Sequence, residues 1–292
     1  MTAAMNPSLT ERLDSNQQRM VANVREAASR IWSHPLHRYF TDHTVTHSER
    51  ILAILDGLTA GLMKTGRRLS EIEIFVLVAA TYLHDIGMQD ERLAAGDLDR
   101  IRDQHHQQSA EMIHSVFESP HSGLSSLRVM EDPTLVEAVA LISKGHRKVP
   151  LGAAEYEPLA WGGGTIRLRL LAALLRFADE LDIDHRRVDM ERMKLLRLPA
   201  ISQLHWWKCY YVAGVAIVDE YIQVSYRFPQ DRPDYERLIV PRVEDEIRAK
   251  LAALEPIFRS EGVKPALAVP SVRLMRSVRP LPKEIEALFE AC

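Results

Sequence analysis

Apolar positions recur at helical spacing over the first two thirds of this 292-residue chain. Leu13, Met20, Val21, Val24, Ala28 and Ile31 predict an amphipathic helix over residues 8–32, followed by a turn at Trp32, Pro35, Tyr39 and Phe40. A second helix carries His47, Ile51, Ile54 and Leu55 on one face. The third opens on a capping box, Ser70 with Glu73, and runs almost wholly apolar through "IEIFVLVAATYLHDIGM" to Gly87. Residues 90–104 are charged and read as a mobile connection to a helix from His106 to Phe117, broken by Pro120 and Gly123. Asp132 and Pro133 are an N-cap and first helical position for a helix that presents His146 at its C-terminal end. Val149–Gly164 reads as a loop and flexible lid, and Thr165–Leu181 as a helix that delivers Asp179.

Beyond residue 200 the period shortens. "KCYYVAGVAIVDEYIQVSYRFP" alternates and is rich in Tyr, Val and Ile, which predicts a hairpin turning at Asp219 and Glu220. A long helix from Asp234 to Ser260, a third strand in "KPALAVPSVRLMRSV" and a closing helix over Pro282–Phe289 complete the pattern. The expected fold is mainly α: a helical unit over residues 1–195 and a small α+β unit, an antiparallel hairpin plus a long helix, over 196–292.

Composition narrows the chemistry. With 46% hydrophobic and 26% charged residues the chain can bury a large core, and a net charge of −3 gives no basic field for nucleic acid. Cys209 and Cys292 lack the spacing of a disulfide framework or a thiolate zinc site. The opening segment lacks a basic stretch followed by an apolar one, and Ile72–Leu83 is too short to span a bilayer, so a soluble, cytoplasmic protein is expected, with no membrane partner.

His84 and Asp85, at the end of the most apolar helix, have little reason to be there unless they meet a cation. His47, His105, His146 and Asp179 lie within or at the edge of other helical segments. Imidazoles and carboxylates without thiolates suit Mn, Fe, Ni or Zn, with Mg possible. The order H…HD…H…H…D, carried by "YLHDIGM", "HHQQSA" and "RFADELDID", resembles the HD-domain metal-dependent phosphohydrolases over residues 20–190. Within them it is most similar to the HD domains of bacterial conflict and defence effector systems.

The resemblance implies a bundle of about five core helices holding one or two divalent metals. It makes His47, His84, Asp85 and Asp179 the primary metal ligands, with Asp85 able to bridge two ions. His105 and His146 then hold a second metal or contact a phosphate. His106 points about 100° away on its helix and is expected beside the ligands or on the surface, with the register open to exchange it with His105. His43, one turn before His47, is either a leaving-group acid or a cap. Arg50, Lys144, Arg147 and Arg176 are candidate phosphate donors, Arg176 alternatively orienting Asp179. Arg186 and Arg187 cover a helix end, and Trp206 and Trp207 belong to the core. Many two-metal relatives, notably cyclic-dinucleotide phosphodiesterases, carry Lys where this chain has Met88, so that substrate is not assigned.

The implied activity is hydrolysis of a nucleotide or nucleotide-derived phosphoester by metal-activated water. Catalytic roles fall to Asp85, His43, His105, Lys144 and Arg147. A single-strand nuclease, a nucleotide sensor and a di-iron oxygenase are the alternatives; a protein partner or homo-oligomer stays open.

Overall fold

The computed structural model describes residues 7–34, 36, 39–90, 98–118, 132–196 and 198–291. Among these the expected mainly α architecture is present, with a small C-terminal sheet. Helix α1 (Ser15–Ile31) starts at a capping box between Asp14 and Gln17, so Thr10–Arg12 forms a separate 3-10 turn rather than the first turns of one long helix. Helix α2 (Val45–Thr59) is capped by the Thr44 hydroxyl. Helix α3 (Glu71–Leu83) has the predicted Ser70–Glu73 box, and its residues 73–83 are all buried. A helix apolar on every side must sit in the middle of a bundle. The Glu73 carboxylate at its start also accepts from the Arg167 backbone and guanidinium, which ties α3 to the last bundle helix.

Helix α3 stops at Leu83, and the chain tightens into a 3-10 turn, Ile86–Gln89, instead of running helical to Gly87. A Cβ at Gly87 would lie 2.1 Å from the His105 carbonyl oxygen and 2.4 Å from the Ser109 nitrogen. The missing side chain lets this turn press against helix α4 (Leu98–Glu118), where the Gly87 N–H donates to Ser109 Oγ. Helix α4 begins eight residues before the predicted His106. Ile101, wholly buried with Trp32 and Met88, anchors this charged stretch as an amphipathic helix. Residues 91–97, with Pro120 and Gly123, lie outside the described residues.

Helix α5 (Pro133–Gly145) has the predicted Asp132 cap and Pro133 start. The expected lid over 149–164 is instead tied down. Strands β1 (Leu159–Trp161) and β2 (Gly164–Ile166) pair across Gly162 and Gly163, both at positive φ. Tyr156 is fully buried, and the Trp161 indole donates to Asp132. Helix α6 (Leu168–Leu181) then crosses α2, α3 and α5.

After a 3-10 turn at His185–Arg187 come helices α7 (Met190–Leu195) and α8 (Ala200–Tyr211). Lys208–Tyr211, read from the sequence as the start of a strand, thus close a helix on which the Trp207 and Tyr211 rings stack one turn apart. Strands β3 (Val212–Val218) and β4 (Tyr221–Pro229) form the predicted hairpin, with Asp219 and Glu220 both at positive φ in its turn. Helix α9 (Tyr235–Glu261) follows and packs on α6. The predicted third strand appears as β5 (Ala266–Leu267) and β6 (Ser271–Met275), both parallel to β4, before helix α10 (Lys283–Ala291). One apolar core runs from Leu9 to Phe289 through bundle and sheet. No described helix is long and apolar enough to cross a membrane.

Replacing Gly87 by Ala should force the turn off α4. We expect a loss of about 3 kcal/mol in denaturant unfolding, at the upper end of overpacking costs. An unchanged unfolding midpoint would show that the two backbones do not need this contact.

Candidate metal centre

The six residues proposed as ligands converge from five helices. His47 lies in the first turn of α2, His84 caps α3, Asp85 opens the following 3-10 turn, His105 is on α4, His146 caps α5 and Asp179 is in the last turn of α6. Helix ends place all but His105, which sits inside α4: a terminal residue can turn its side chain inward without opening the apolar middle of the helix.

The Asp85 carboxylate is central. Its Oδ2 faces His47 Nε2 at 3.6 Å and His84 Nε2 at 3.1 Å, while Oδ1 faces His105 Nε2 and His146 Nε2, each at 3.3 Å. Asp179 Oδ1 joins the first pair, 3.2 Å from His47 and 3.9 Å from His84. The four imidazoles are oriented alike, because each Nδ1 is occupied. His84 meets the Thr81 carbonyl, His105 that of Ile101, His146 that of Ser143, and His47 meets Asp182 Oδ2 at 2.6 Å. A carbonyl can only accept, so Nδ1 bears the proton in those three rings and Nε2 presents a lone pair to the centre.

Lone pairs of His105 and His146 then face each other at 3.2 Å across a carboxylate oxygen, three acceptors without a donor. Buried His84 Nε2 likewise has no hydrogen-bond partner. Such an arrangement is costly unless a cation satisfies it. The cluster therefore fits divalent metal: ligand atoms of His47, His84 and Asp179, and those of His84, Asp85 and His146, lie within 4.8 Å of one another, and His105 Nε2 stands 3.3 Å from Asp85 Oδ1 and 3.2 Å from His146 Nε2.

Charges in the cluster follow from burial and neighbours. Burial alone raises a carboxyl, yet the imidazoles around Asp85 hold it well below the usual range, and Asp179 and Asp182 are lowered too by His47. Burial and Arg187 push His47 toward neutrality, but Asp179, Asp182 and Asp85 prevail and raise it to about 10. Burial, only partly offset by Asp85, lowers His146 to about 3.

The orienting carboxylate, Asp182, was not singled out in the sequence, although it stands three residues after Asp179 in "RFADELDID". Arg50 donates through Nε to both its oxygens and through a terminal nitrogen to Asp42, so it supports His47 rather than a phosphate. Arg187 is buried and holds the Asp182 and Asp42 carbonyls. Arg176 donates to the Gly145 and Val149 carbonyls, fixing the chain around His146 instead of orienting Asp179. Arg186 pairs with Asp184.

A cavity of about 620 Å³ opens onto Asp85, His105 and Asp179. Arg147 lines it; Lys144 does not, its ammonium being paired with Glu155 at 3.0 Å. His43 also lines it, but not as an acid. Its Nδ1 meets the Thr41 carbonyl, Arg187 donates to Nε2, and burial followed by the Arg187 charge lowers it to about 3. His106 is buried beside the cluster rather than on the surface, kept neutral by burial and by His105 and Arg147. Trp207 is in the core as expected; Trp206 is buried and lines the cavity too.

Two outcomes follow. Asp85→Ala should abolish metal retention while helicity by circular dichroism is kept; if His105 and His146 hold a second metal, replacing either should lower the metal content from about two per chain toward one, whereas unchanged content assigns them to phosphate binding. Full retention in Asp85→Ala would remove the site. Because His47 is raised to about 10, it carries a second proton at neutral pH in the metal-free protein, and metal must displace it. Metal affinity should therefore rise with pH up to about 10, with about one proton released per chain at pH 7–8, measured by calorimetry in buffers of different ionisation enthalpy. Heats independent of the buffer would contradict this.

The sequence profile described as HD-CE matches residues 37–258. No curated protein matches the chain. The match takes in all six clustered residues and extends through α9, and on it the chain belongs to the HD-CE family.

Proposed function

We propose that this protein is a metal-dependent phosphohydrolase acting on a small nucleotide or nucleotide-derived phosphoester. The observation that carries the reading is the Asp85 carboxylate, shared between two sets of inward-facing imidazole nitrogens at the floor of an open cavity. A divalent metal bound there, Mn, Fe, Ni or Zn with Mg possible, polarises a phosphoryl oxygen and lowers the pKa of water enough for hydrolysis near neutral pH. The protein's part is to hold the ligands rigid and to position the ester.

Cavity charges favour a small substrate. Arg102 pairs with Asp99, Lys148 with Asp103 and Lys208 with Glu246, while Arg187 is committed to backbone carbonyls and His43. Arg147 is the cation lining the cavity for which the described residues supply no partner, and its Nε is buried. One open guanidinium can hold the oxygens of one phosphoryl group. A nucleic-acid strand draws its affinity from several phosphates at once, which this surface does not offer. We extend the proposal to the setting that the sequence resemblance implies, an effector of bacterial conflict or defence that acts by turning over a nucleotide.

With Mn, Fe or Ni added, purified protein should hydrolyse a mononucleotide phosphoester faster than it degrades single-stranded DNA, and Asp85→Ala should have no measurable turnover. DNA degradation without turnover of any nucleotide in a broad panel would replace this reading with a nuclease. Arg147→Ala should lower kcat/KM for the nucleotide by roughly tenfold or more, the loss of a charged hydrogen bond worth about 1.5–3 kcal/mol. Equal kcat/KM would exclude a phosphoryl contact.

A further inference from the structure

A second cavity, of about 180 Å³, adjoins the first and shares Phe40, Thr41, His43, Met88, Arg187 and Trp206 with it. Its character differs. Trp32, Met88 and Ile101, with Phe40 against them, form a buried apolar cluster separate from the main core; Trp32, Phe40 and Met88 line the smaller cavity, and Trp206 closes it from α8. His43 on its wall, its ring 5.4 Å from that of His47, is neutral and has both ring nitrogens engaged. Three aromatic side chains from different elements thus surround a space contiguous with the metal cluster.

Polar groups there are largely committed. The Trp206 indole N–H donates to the Tyr39 carbonyl, and Thr44 Oγ1 donates to Asp42. Arg186, Arg187 and Arg192 also line this cavity, Arg186 paired with Asp184 and Arg187 donating to the Asp182 and Asp42 carbonyls, while the Gln89 amide oxygen accepts from the Leu36 N–H and its amide nitrogen has no partner among the described residues. Aromatic walls with one open N–H donor suit a flat ring that carries acceptor atoms at its edge.

We propose that the smaller cavity is a nucleobase subsite, which receives the heteroaromatic ring of the substrate on Trp32, Phe40 and Trp206 while its phosphoryl group lies at the Asp85 cluster beside Arg147. The placement rests on the phosphohydrolase reading for the phosphoryl half and on the aromatic walls alone for the base. Gln89 donates to an acceptor on the ring edge. The substrate class is then a nucleoside carrying one phosphoryl group, rather than a sugar phosphate or a lipid phosphate.

The test needs no turnover. Adenosine and guanosine, which lack phosphate, are titrated into metal-free, full-length protein while tryptophan fluorescence is followed, with ribose as control. Saturable quenching by a nucleoside and none by ribose is expected. Phe40→Ala should weaken the nucleoside by roughly tenfold or more, since stacking on an aromatic ring is worth about 1–3 kcal/mol per base. Phe40→Leu, which keeps the apolar volume, distinguishes loss of stacking from collapse of the cluster and should also weaken binding. No saturable quenching by any nucleoside at millimolar concentration, or equal affinity in both Phe40 variants and the wild type, overturns the subsite. The two readings fail separately: phosphoester turnover without nucleoside binding removes the subsite and keeps the hydrolase, whereas nucleoside binding without turnover of any phosphoester does the reverse.

Discussion

Asp85 places a carboxylate in the protein interior between four imidazoles, and much of the structure is arranged to make this tolerable. Desolvating an ion costs several kcal/mol even after relaxation. Hydrogen bonds at the far nitrogens turn the imidazoles so that Nε2 atoms face both oxygens, and a cation seated among them offsets the cost. That in turn requires four helices to end, or to pass, within one small volume. The Gly87 contact between the 3-10 turn and α4 is a direct consequence, because a side chain there would hold His105 away from Asp85.

Around the cluster lies a layer of charges that never reaches the cavity. Arg50 and Arg187 both grip Asp182, and Asp182 fixes the His47 ring. Arg50 donating to the carboxylate and Arg187 donating to the backbone carbonyl, its charge 3.6 Å from Oδ2, keep Asp182 ionised and immobile, so the ring it orients is held as firmly as the three bonded to backbone carbonyls. The same economy explains why few cations remain for a ligand. Most Arg and Lys side chains near the cavity already neutralise a neighbouring acid or satisfy a carbonyl, and Arg147 stands out for lack of such a duty.

The C-terminal elements are part of the site rather than an appendage to it. Helix α8 contributes Ser202, His205, Trp206 and Lys208 to the larger cavity, and α9 contributes Glu246. The HD-CE match extends through α9, in keeping with a family unit larger than the metal-binding bundle. Ligands come from the bundle, whereas the walls that would select a substrate are completed from beyond it.

The sequence by itself determined what depends on neighbours along the chain. Buried α3, its Ser70–Glu73 box, the Asp132–Pro133 start of α5 and the hairpin turning at Asp219 and Glu220 could all be read there, because helix period, caps and turn chemistry act over a few residues. His84 and Asp85 were legible because their residue types are out of place at the end of an apolar helix, and His47, His105, His146 and Asp179 because their order and motifs resemble a known metal-binding pattern. The start of α4 and the helical state of Lys208–Tyr211 were not, since Ile101 and the stacked Trp207 and Tyr211 are stabilised by partners distant in sequence. Nor could spacing reveal that Asp182 binds His47, that Arg50 and Arg176 are committed to structural bonds, or that Lys144 pairs with Glu155 while Arg147 stays open. Each of those depends on which of several possible partners lies within about 3 Å, and only the tertiary packing of the helices decides that.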